Sequence, residues 1–286
     1  MSNLYRCKIS VLIVTYNNAA TISNCLESLN KQSFKDFEIV VLDNNSNDAT
    51  IEQLDKYDNI KLFRFEENIG FGAGVNYLSR MANGEYLFIL NPDCVVTDNT
   101  LARLHDFAVK HKGAISPALI YPDGAQQPSA RQLLSYKNVI FSRRSLIYKL
   151  GLTKTRQAGY LMPDKPAKVP AISATAMFIK AELFNRVNGF DERFFLYLED
   201  IDLCVRLSLI NIDNWYLPDV KIKHLLGASS SETSIKSSYY HHFSMYKYFT
   251  KHFRRNYIKN LLLLLLLTAG FISSILLDLL KPKRRK

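Results

Sequence analysis

The chain has 286 residues, 48% of them hydrophobic and 22% charged, which is enough to bury a full core and too apolar for a disordered majority. Its net charge of +11 invites a nucleic-acid partner until it is located: residues 251–286 hold nine Lys/Arg and one Asp, a net of +8, leaving +3 on residues 1–250. The body is nearly neutral, and with no zinc-finger or other nucleic-acid signature that partner is set aside.

Residues 8–15 form a continuous apolar, β-branched run that ends at Tyr16-Asn17-Asn18, and residues 19–29 then follow helical spacing. The pattern returns with residues 37–42, then a polar loop, Asp43-Asn44-Asn45-Ser46-Asn47-Asp48, able to cap a helix from about Ala49. It returns again with residues 60–65 before a glycine-rich loop and a helix, and once more with residues 86–90. Such alternation predicts an α/β fold of Rossmann type, a mostly parallel sheet with helices on both faces and ligands at the carboxyl ends of its strands. Residues 15–18, 43–46 and 91–93 then open on one edge. Beyond Pro117 regularity weakens. Tyr121-Pro122-Asp123-Gly124 reads as a turn, and residues 126–168 as loop and short helix, a mobile or acceptor-facing segment. Order resumes with a strand over 174–179, a turn at Asn188-Gly189-Phe190-Asp191, a helix over 199–209 and short strands around Trp215 and 220–224.

The first loop, Thr15-Tyr16-Asn17-Asn18, holds no glycine, which argues against a dinucleotide-binding dehydrogenase. The later Gly70-Phe71-Gly72-Ala73-Gly74-Val75-Asn76 fits either phosphate contact or tight strand-to-helix packing. Three carboxylates fall within four residues at Glu199-Asp200-Ile201-Asp202, behind the apolar run Phe194-Phe195-Leu196-Tyr197-Leu198, and a separate acidic turn stands at Asn91-Pro92-Asp93. Carboxylates next to apolar segments are the parts that hold a divalent cation and take a proton from a hydroxyl, because burial makes their pKa adjustable.

The residues Val11 to Asn17, Val41 to Ser46, Asn68 to Asn76, Asn91-Pro92-Asp93, and Gly189 to Phe195 through Glu199-Asp200-Ile201-Asp202-Leu203-Cys204 and Arg206-Leu207 together resemble the inverting glycosyltransferases of family 2. Rhamnosyltransferases of bacterial polysaccharide assembly are the nearest in pattern, sharing Glu-Asp-x-Asp-Leu-Cys-x-Arg-Leu and a following His-x-x-Gly-x-Ser, here His224 to Ser229. The match covers about residues 8–230.

The resemblance implies a GT-A fold, a nucleotide-diphosphate sugar donor and Mg2+ or Mn2+. Asp43 would contact the base or ribose near Thr15 and Asn17, with Asn45, Asn68, Gly70, Asn76 and Asn91 also on the donor; helix capping is a compatible role for Asp43. Asp93 matches the last acidic residue of the family's Asp-x-Asp metal motif, with Asn91 in the first position, so the ion gains its full ligand set only with the donor diphosphate; the alternative is an ordinary turn. His224 corresponds to a family position near metal or diphosphate; the alternative is a structural histidine. Asp200 matches the catalytic base, Glu199 would orient the acceptor, and Asp202 is expected to pair structurally with Arg206, four residues on. Relatives usually show Gly-Ala before the apolar strand and Arg after it, where this chain has Ala174-Thr175 and Lys180, and Arg131 lies in an altered donor-side motif, Ser129-Ala130-Arg131-Gln132. These departures bear on the donor sugar more than on glycosyl transfer.

After Ser244 the composition turns Tyr-, Lys- and Leu-rich. Residues 261–277 carry no charge and are bracketed by Lys251, Arg254, Arg255 and Lys259 before, and by Lys281, Lys283, Arg284, Arg285 and Lys286 after. As a helix of roughly 25 Å this stretch is short of a ~30 Å hydrocarbon core, and cations at both ends disfavour a simple span. A monotopic or re-entrant anchor on an anionic leaflet is expected, with a buried core helix as the alternative. Two regions follow: residues 1–235 as the GT-A domain and 236–286 as a membrane-anchoring segment. Four cysteines without paired spacing, and no charged-then-apolar leader, suggest a reduced, cytosolic exposure. The leading expectation is an enzyme on the cytoplasmic face of the bacterial inner membrane, moving L-rhamnose from its dTDP donor to a polyprenyl-diphosphate-linked sugar. A hexosyl or galactofuranosyl transferase is the nearest alternative. A non-catalytic nucleotide-sugar-binding scaffold is the other; a binding module needs no base, and retention of Asp93 with Asp200 argues against it.

Overall fold

The computed structural model describes residues 5–140, 159–225 and 235–280. In chain order its strands are β1 Cys7–Thr15, β2 Phe37–Asp43, β3 Ile60–Arg64, β4 Gly84–Leu90, β5 Cys94–Val95, β6 Gly113–Ile120, β7 Gln126–Gln127, β8 Ala130–Arg131, β9 Tyr160–Leu161, β10 Ala167–Val169, β11 Ala171–Ile172, β12 Ala176–Lys180 and β13 Asp213–His224. The helices are α1 Ile22–Asn30, α2 Thr50–Leu54, α3 Phe71–Met81, α4 Thr100–Lys110, α5 Tyr136–Ile140, α6 Ala181–Arg186, α7 Glu199–Leu209, α8 Ile235–His252 and α9 Tyr257–Leu280.

The main sheet runs β10-β13-β6-β12-β4-β1-β2-β3. Strands β4, β1, β2 and β3 are parallel, as the intervening helices require. Both faces are covered, which is why β1 is apolar at nearly every position: Val11 and Ile13 join the core under α1 and α4, while Leu12 and Val14 join the one under α3 and α7. The sheet is mostly parallel, with one reversal in its middle. Strand β12 lies antiparallel between β4 and β6, and Ala176 pairs with Leu90, so the residues just before β12 reach the carboxyl edge of β4. The two short strands expected around Trp215 and 220–224 are one strand, β13. Its register shifts between Leu217 and Lys221, where Pro218 has no N–H to give the ladder. Part of the segment expected as irregular forms a small second sheet, β11-β8-β9; residues 141–158 of that segment lie outside those described.

The C-terminal part departs from the expected division. Helix α8 begins where the anchoring segment was expected to begin, yet Met245, Tyr248 and Phe249 are buried in the core beside α7. Its aromatic and cationic composition hides an amphipathic helix of the folded body. Helix α9 is longer than its uncharged stretch, ~36 Å by rise per residue. Over Tyr257–Ile275 the mean hydropathy is 1.9 and 17% of the residues are buried, so a core helix is not what this element is. It is tied to the body near its start, where Tyr136 donates to Asn260 Oδ1 at 2.7 Å.

The joint between α7 and α8 is ionic. Asp202 is completely buried; its Oδ2 accepts from Arg206 Nε at 2.7 Å, and its Oδ1 meets Lys251 Nζ at 2.5 Å and His252 Nε2 at 2.7 Å. The same Lys251 ammonium reaches Asp191 Oδ2 at 2.7 Å. Burial alone raises the Asp202 pKa, but the His252 and Lys251 hydrogen bonds and the Arg206 charge outweigh it and hold the carboxyl below its usual range. That stabilisation is present above the ordinary carboxylate range and lost as pH falls through the lowered pKa. Removing one partner of a buried ion pair strands the others, so Asp202→Asn is expected to cost on the order of 3 kcal/mol at pH 7. In a thermal melt this is a drop of roughly 6–12 °C, shrinking toward acid pH; an unchanged midpoint contradicts the structural role.

Candidate active site

The first two strand ends build one polar wall. Thr15 and Asp43 are register partners at the ends of β1 and β2, and both are buried. Thr15 Oγ1 donates to Asn18 Oδ1 at 3.1 Å, and Asp43 accepts from the Ser46 hydroxyl at 2.5 Å and the Ser46 N–H at 3.0 Å. Asp43 thus closes its own turn. Just before α2 it is Asp48 that accepts from a backbone N–H, that of Thr50 at 3.0 Å. Asn17 and Asn45 both take left-handed backbone, φ 55° and 67°, as short polar side chains tolerate. The Asn47 N–H donates to Asn17 Oδ1 at 2.7 Å, so the loops after β1 and β2 are laced together.

Behind this wall lies the glycine-rich loop, held by a residue the sequence did not single out. Asn44 Oδ1 accepts from Ile69 N at 2.9 Å, and its Nδ2 donates to Asn68 Oδ1 at 2.9 Å and to Gly70 O at 3.3 Å. Gly70 has φ +88°, and a Cβ there would stand 2.6 Å from the Phe195 carbonyl oxygen. The following N–H, of Phe71, donates to that oxygen at 3.0 Å. Tight packing therefore explains this glycine. Asn76 is likewise engaged inside the protein: it donates to Phe190 O at 2.8 Å and Glu192 Oε1 at 3.0 Å, and accepts from Phe190 N at 2.8 Å. Both residues were expected on the donor; in the fold both fasten the 190–195 segment that leads into α7.

Asn91 follows β4, and its N–H donates to Thr175 O at 2.9 Å. Two residues on, buried Asp93 meets the end of β13: Leu225 N donates to Asp93 O at 2.8 Å, and Cys94 pairs with His224. The His224 Nε2 stands 3.2 Å from Asp93 Oδ1, while its Nδ1 contacts Gln127 Oε1 at 2.9 Å. Ligand atoms of Asp93, Cys94 and His224 lie within 4.8 Å of one another. Burial, then the Asp93 charge, pushes the Cys94 thiol well up, and as a soft sulfur it is a poor match for a hard cation such as Mg2+ or Mn2+. Asp93 and His224 remain, a hard oxygen and an imidazole nitrogen, donors that a divalent first-row cation such as Mn2+ accepts. Their separation fits as well: neighbouring ligands of an octahedral ion with bonds of ~2.1 Å lie about 3 Å apart. Gly227 and Ser229 of the same motif lie outside the described residues.

At the same edge, the start of α7 carries the paired carboxylates. Tyr197 and Leu198 both have φ 69°, left-handed backbone that bulky side chains rarely adopt, at a cost of about 1–3 kcal/mol each. Helix α8 holds them there. Ser244 donates to Leu196 O at 2.8 Å, Tyr197 shares a 2.8 Å hydrogen bond with Ser237, and Phe195 stacks on Tyr240. The turn delivers Glu199 and Asp200 to different surroundings. Asp200 accepts from Ile201 N at 2.7 Å and, across from the residues before β12, from Ala174 N at 3.2 Å. Burial raises its pKa, and these N–H groups with the Arg131 charge pull part of the way back. Glu199 is buried with its Oε2 unpartnered among the described residues, and burial plus the Asp200 charge push it well above the carboxylate range. The N–H groups of Ala174 and Ile201 favour the negative charge on Asp200 over Glu199. Arg131, on β8, lies over the Tyr160 ring with its buried Nε unpartnered among the described residues.

The profile of Glycosyl transferase family 2 matches residues 10–173, more than half of the chain. The chain belongs to that family. Among its relatives, the N-acetylglucosaminyl-diphospho-decaprenol L-rhamnosyltransferase of Mycobacterium tuberculosis is 28% identical over 258 residues, 82% of either chain. Rhamnosyltransferase WbbL of Escherichia coli K12 is 25% identical over 252 residues, 84% of this chain and 92% of its own. TarS of S. aureus superposes with a TM-score of 0.56 at 24% identity, over 77% of this chain and 37% of TarS. GalNAc-T7 with UDP, GalNAc and Mn2+ gives 0.58 at 20% identity, over 77% of this chain and 43% of its own. This chain spans well under two thirds of either structure, and they establish the fold alone, which is GT-A-like. The protein is a family 2 glycosyltransferase with rhamnosyltransferase-like sequence.

In this glycosyltransferase the family profile ends before α7, so Glu199 and Asp200 rest on their own geometry. Asn44 and Gln127 are the residues that sequence reasoning missed, the first in a loop read only as polar, the second on a two-residue strand without periodic signal. The division between the two carboxylates has a pH signature. A carboxyl whose folded pKa is raised adds stability below its unfolded value, and that stability is lost as pH rises through the folded pKa. Glu199→Gln removes this loss, so its melting midpoint relative to wild type is expected to climb as pH rises above the ordinary carboxylate range. A flat or falling difference means that Glu199 is ionised in the fold.

Proposed function

We propose that this chain is an inverting glycosyltransferase that moves L-rhamnose from dTDP-L-rhamnose to a sugar carried on a polyprenyl diphosphate, at the cytoplasmic face of the bacterial inner membrane. The observation that carries the reading is the environment of Asp200. It is a carboxylate with raised pKa, held by the N–H groups of Ala174 and Ile201. It stands on the sheet edge where β1, β2 and β4 end and β12 begins, a span of roughly 14 Å at strand spacing. A single base beside a donor cleft is what direct displacement needs. Donor sugar and lipid-linked acceptor are supported by the rhamnosyltransferase relatives matched over most of both chains.

In this reading Thr15, Asn17, Asp43 and Asn45 take the nucleotide, with Asn68 and Asn91 further along the same edge, and Arg131 meets the sugar beside Asp200. Asp93 and His224 would hold Mg2+ or Mn2+, which when bound supplies positive charge beside the departing diphosphate. Asp200 takes the proton of the acceptor hydroxyl as it attacks the anomeric carbon. Glu199, kept protonated, donates a hydrogen bond to the acceptor and leaves the negative charge to its neighbour. Exposed leucines of α9 with Arg254, Arg255 and Lys259 support an anchor on an anionic leaflet, and the anchoring segment is then α9 alone, after a catalytic unit that includes α8.

Kinetics with dTDP-L-rhamnose and a synthetic polyprenyl-diphosphate N-acetylglucosamine test the assignment. Asp200→Asn is expected to lower kcat roughly 10²- to 10⁴-fold with donor affinity nearly unchanged. Near-wild-type turnover, with Glu199→Gln inactive, moves the base to Glu199. Chelation is expected to abolish activity, and Asp93→Ala that keeps both activity and metal dependence removes Asp93 from the metal site. The anchor predicts cosedimentation with anionic vesicles that is lost when residues 257–286 are removed.

A further inference from the structure

We infer that Gln127 is a positioning residue for the metal site, fixing His224 in the tautomer that leaves its Nε2 lone pair for the cation. The inference rests on the reading of Asp93 and His224 as cation ligands and adds a residue outside the motifs that suggest them. Gln127 sits on β7, the short strand hydrogen-bonded to the end of β6 through Leu119, and β6 runs beside the strand that ends at His224. Its Oε1 lies 2.9 Å from His224 Nδ1, and the opposite ring nitrogen lies 3.2 Å from Asp93 Oδ1.

A carbonyl oxygen only accepts, so with Oε1 toward the ring the contact takes the proton on Nδ1. In the neutral ring Nε2 is then an acceptor facing a carboxylate oxygen at 3.2 Å, with both residues buried. Two acceptors at that distance repel each other in a poorly solvated pocket unless a cation lies between them. With Gln127 in place the ring is preset for a cation. Without it the proton is free to move to Nε2, where it bonds to Asp93 and occupies the lone pair that the metal needs. Partners of this kind typically change metal affinity 10- to 100-fold. Gln127 is only half-buried, so its substitution leaves the core intact.

The test uses the full-length protein, with Mn2+ bound in the presence of dTDP and followed by electron paramagnetic resonance. Gln127→Met keeps length and bulk but cannot bond to the ring; it is expected to weaken Mn2+ binding at least 10-fold while metal-free dTDP affinity stays unchanged. Gln127→Glu still accepts from Nδ1–H and is expected to bind Mn2+ as tightly as wild type or more so. A Gln127→Met protein with wild-type Mn2+ affinity, or equal losses in both variants, overturns the inference. Ring 15N shifts of His224 in the unsubstituted protein loaded with diamagnetic Mg2+ and dTDP check the same point without a variant: the Nδ1–H form is expected, and an Nε2–H form refutes it. His224→Ala separates the two levels, since undiminished Mn2+ binding in that variant overturns the ligand assignment itself.

Discussion

A wholly buried carboxylate, Asp202, can exist in this fold only because Arg206, Lys251 and His252 surround it. Its satisfaction joins α7 to α8, and α8 in turn clamps the turn at Tyr197 and Leu198 through Ser237, Tyr240 and Ser244. Strain at two consecutive left-handed residues persists only where the surroundings over-determine it. The strain aims the next two residues, Glu199 and Asp200, at the edge of the sheet. The ion network is therefore structural in its chemistry, and in the proposed mechanism its consequence is functional, since it fixes the geometry of the neighbouring carboxylates.

The same logic explains the neighbouring loop. Gly70 lets the chain approach Phe195 within a distance that any Cβ would forbid, and Asn76 captures Phe190 from the other side. The segment from 190 to 198 is thus gripped by α3 and its loop on one flank and by α8 on the other. Two adjacent acids then acquire different properties from position alone. Backbone N–H groups reach Asp200 from two sides and leave one Glu199 oxygen unpartnered among the described residues, so burial is offset more for Asp200 than for Glu199.

Much of this was legible in the sequence where a physical constraint writes a local pattern. Parallel strands covered on both faces must be apolar throughout, and β1, β2 and β4 were recognisable for that reason, with their polar ends on one edge. Helix α7 was legible over its full length from Glu199 to Leu209. What was hidden depends on partners distant in sequence. Nothing local marks β12 as antiparallel, or joins the residues around Pro218 into one strand. Helix α8 looked like tail because its buried Tyr248 and Phe249 are spaced among lysines and histidines that serve Asp191 and Asp202. Asn44 and Gln127 each work through a partner more than 20 residues away, at the Asn68 side chain and Ile69 N–H and at the His224 ring.

The central claim is that one carboxylate, Asp200, serves as a base for a direct displacement, with no second carboxylate taking the sugar covalently. The stereochemistry of the product tests it most directly. Nuclear magnetic resonance of the newly formed glycosidic bond, compared with the donor's anomeric centre, should give the opposite configuration in every turnover. A product that retains the donor configuration contradicts the account, because it demands two displacements and a nucleophile where a base has been assigned.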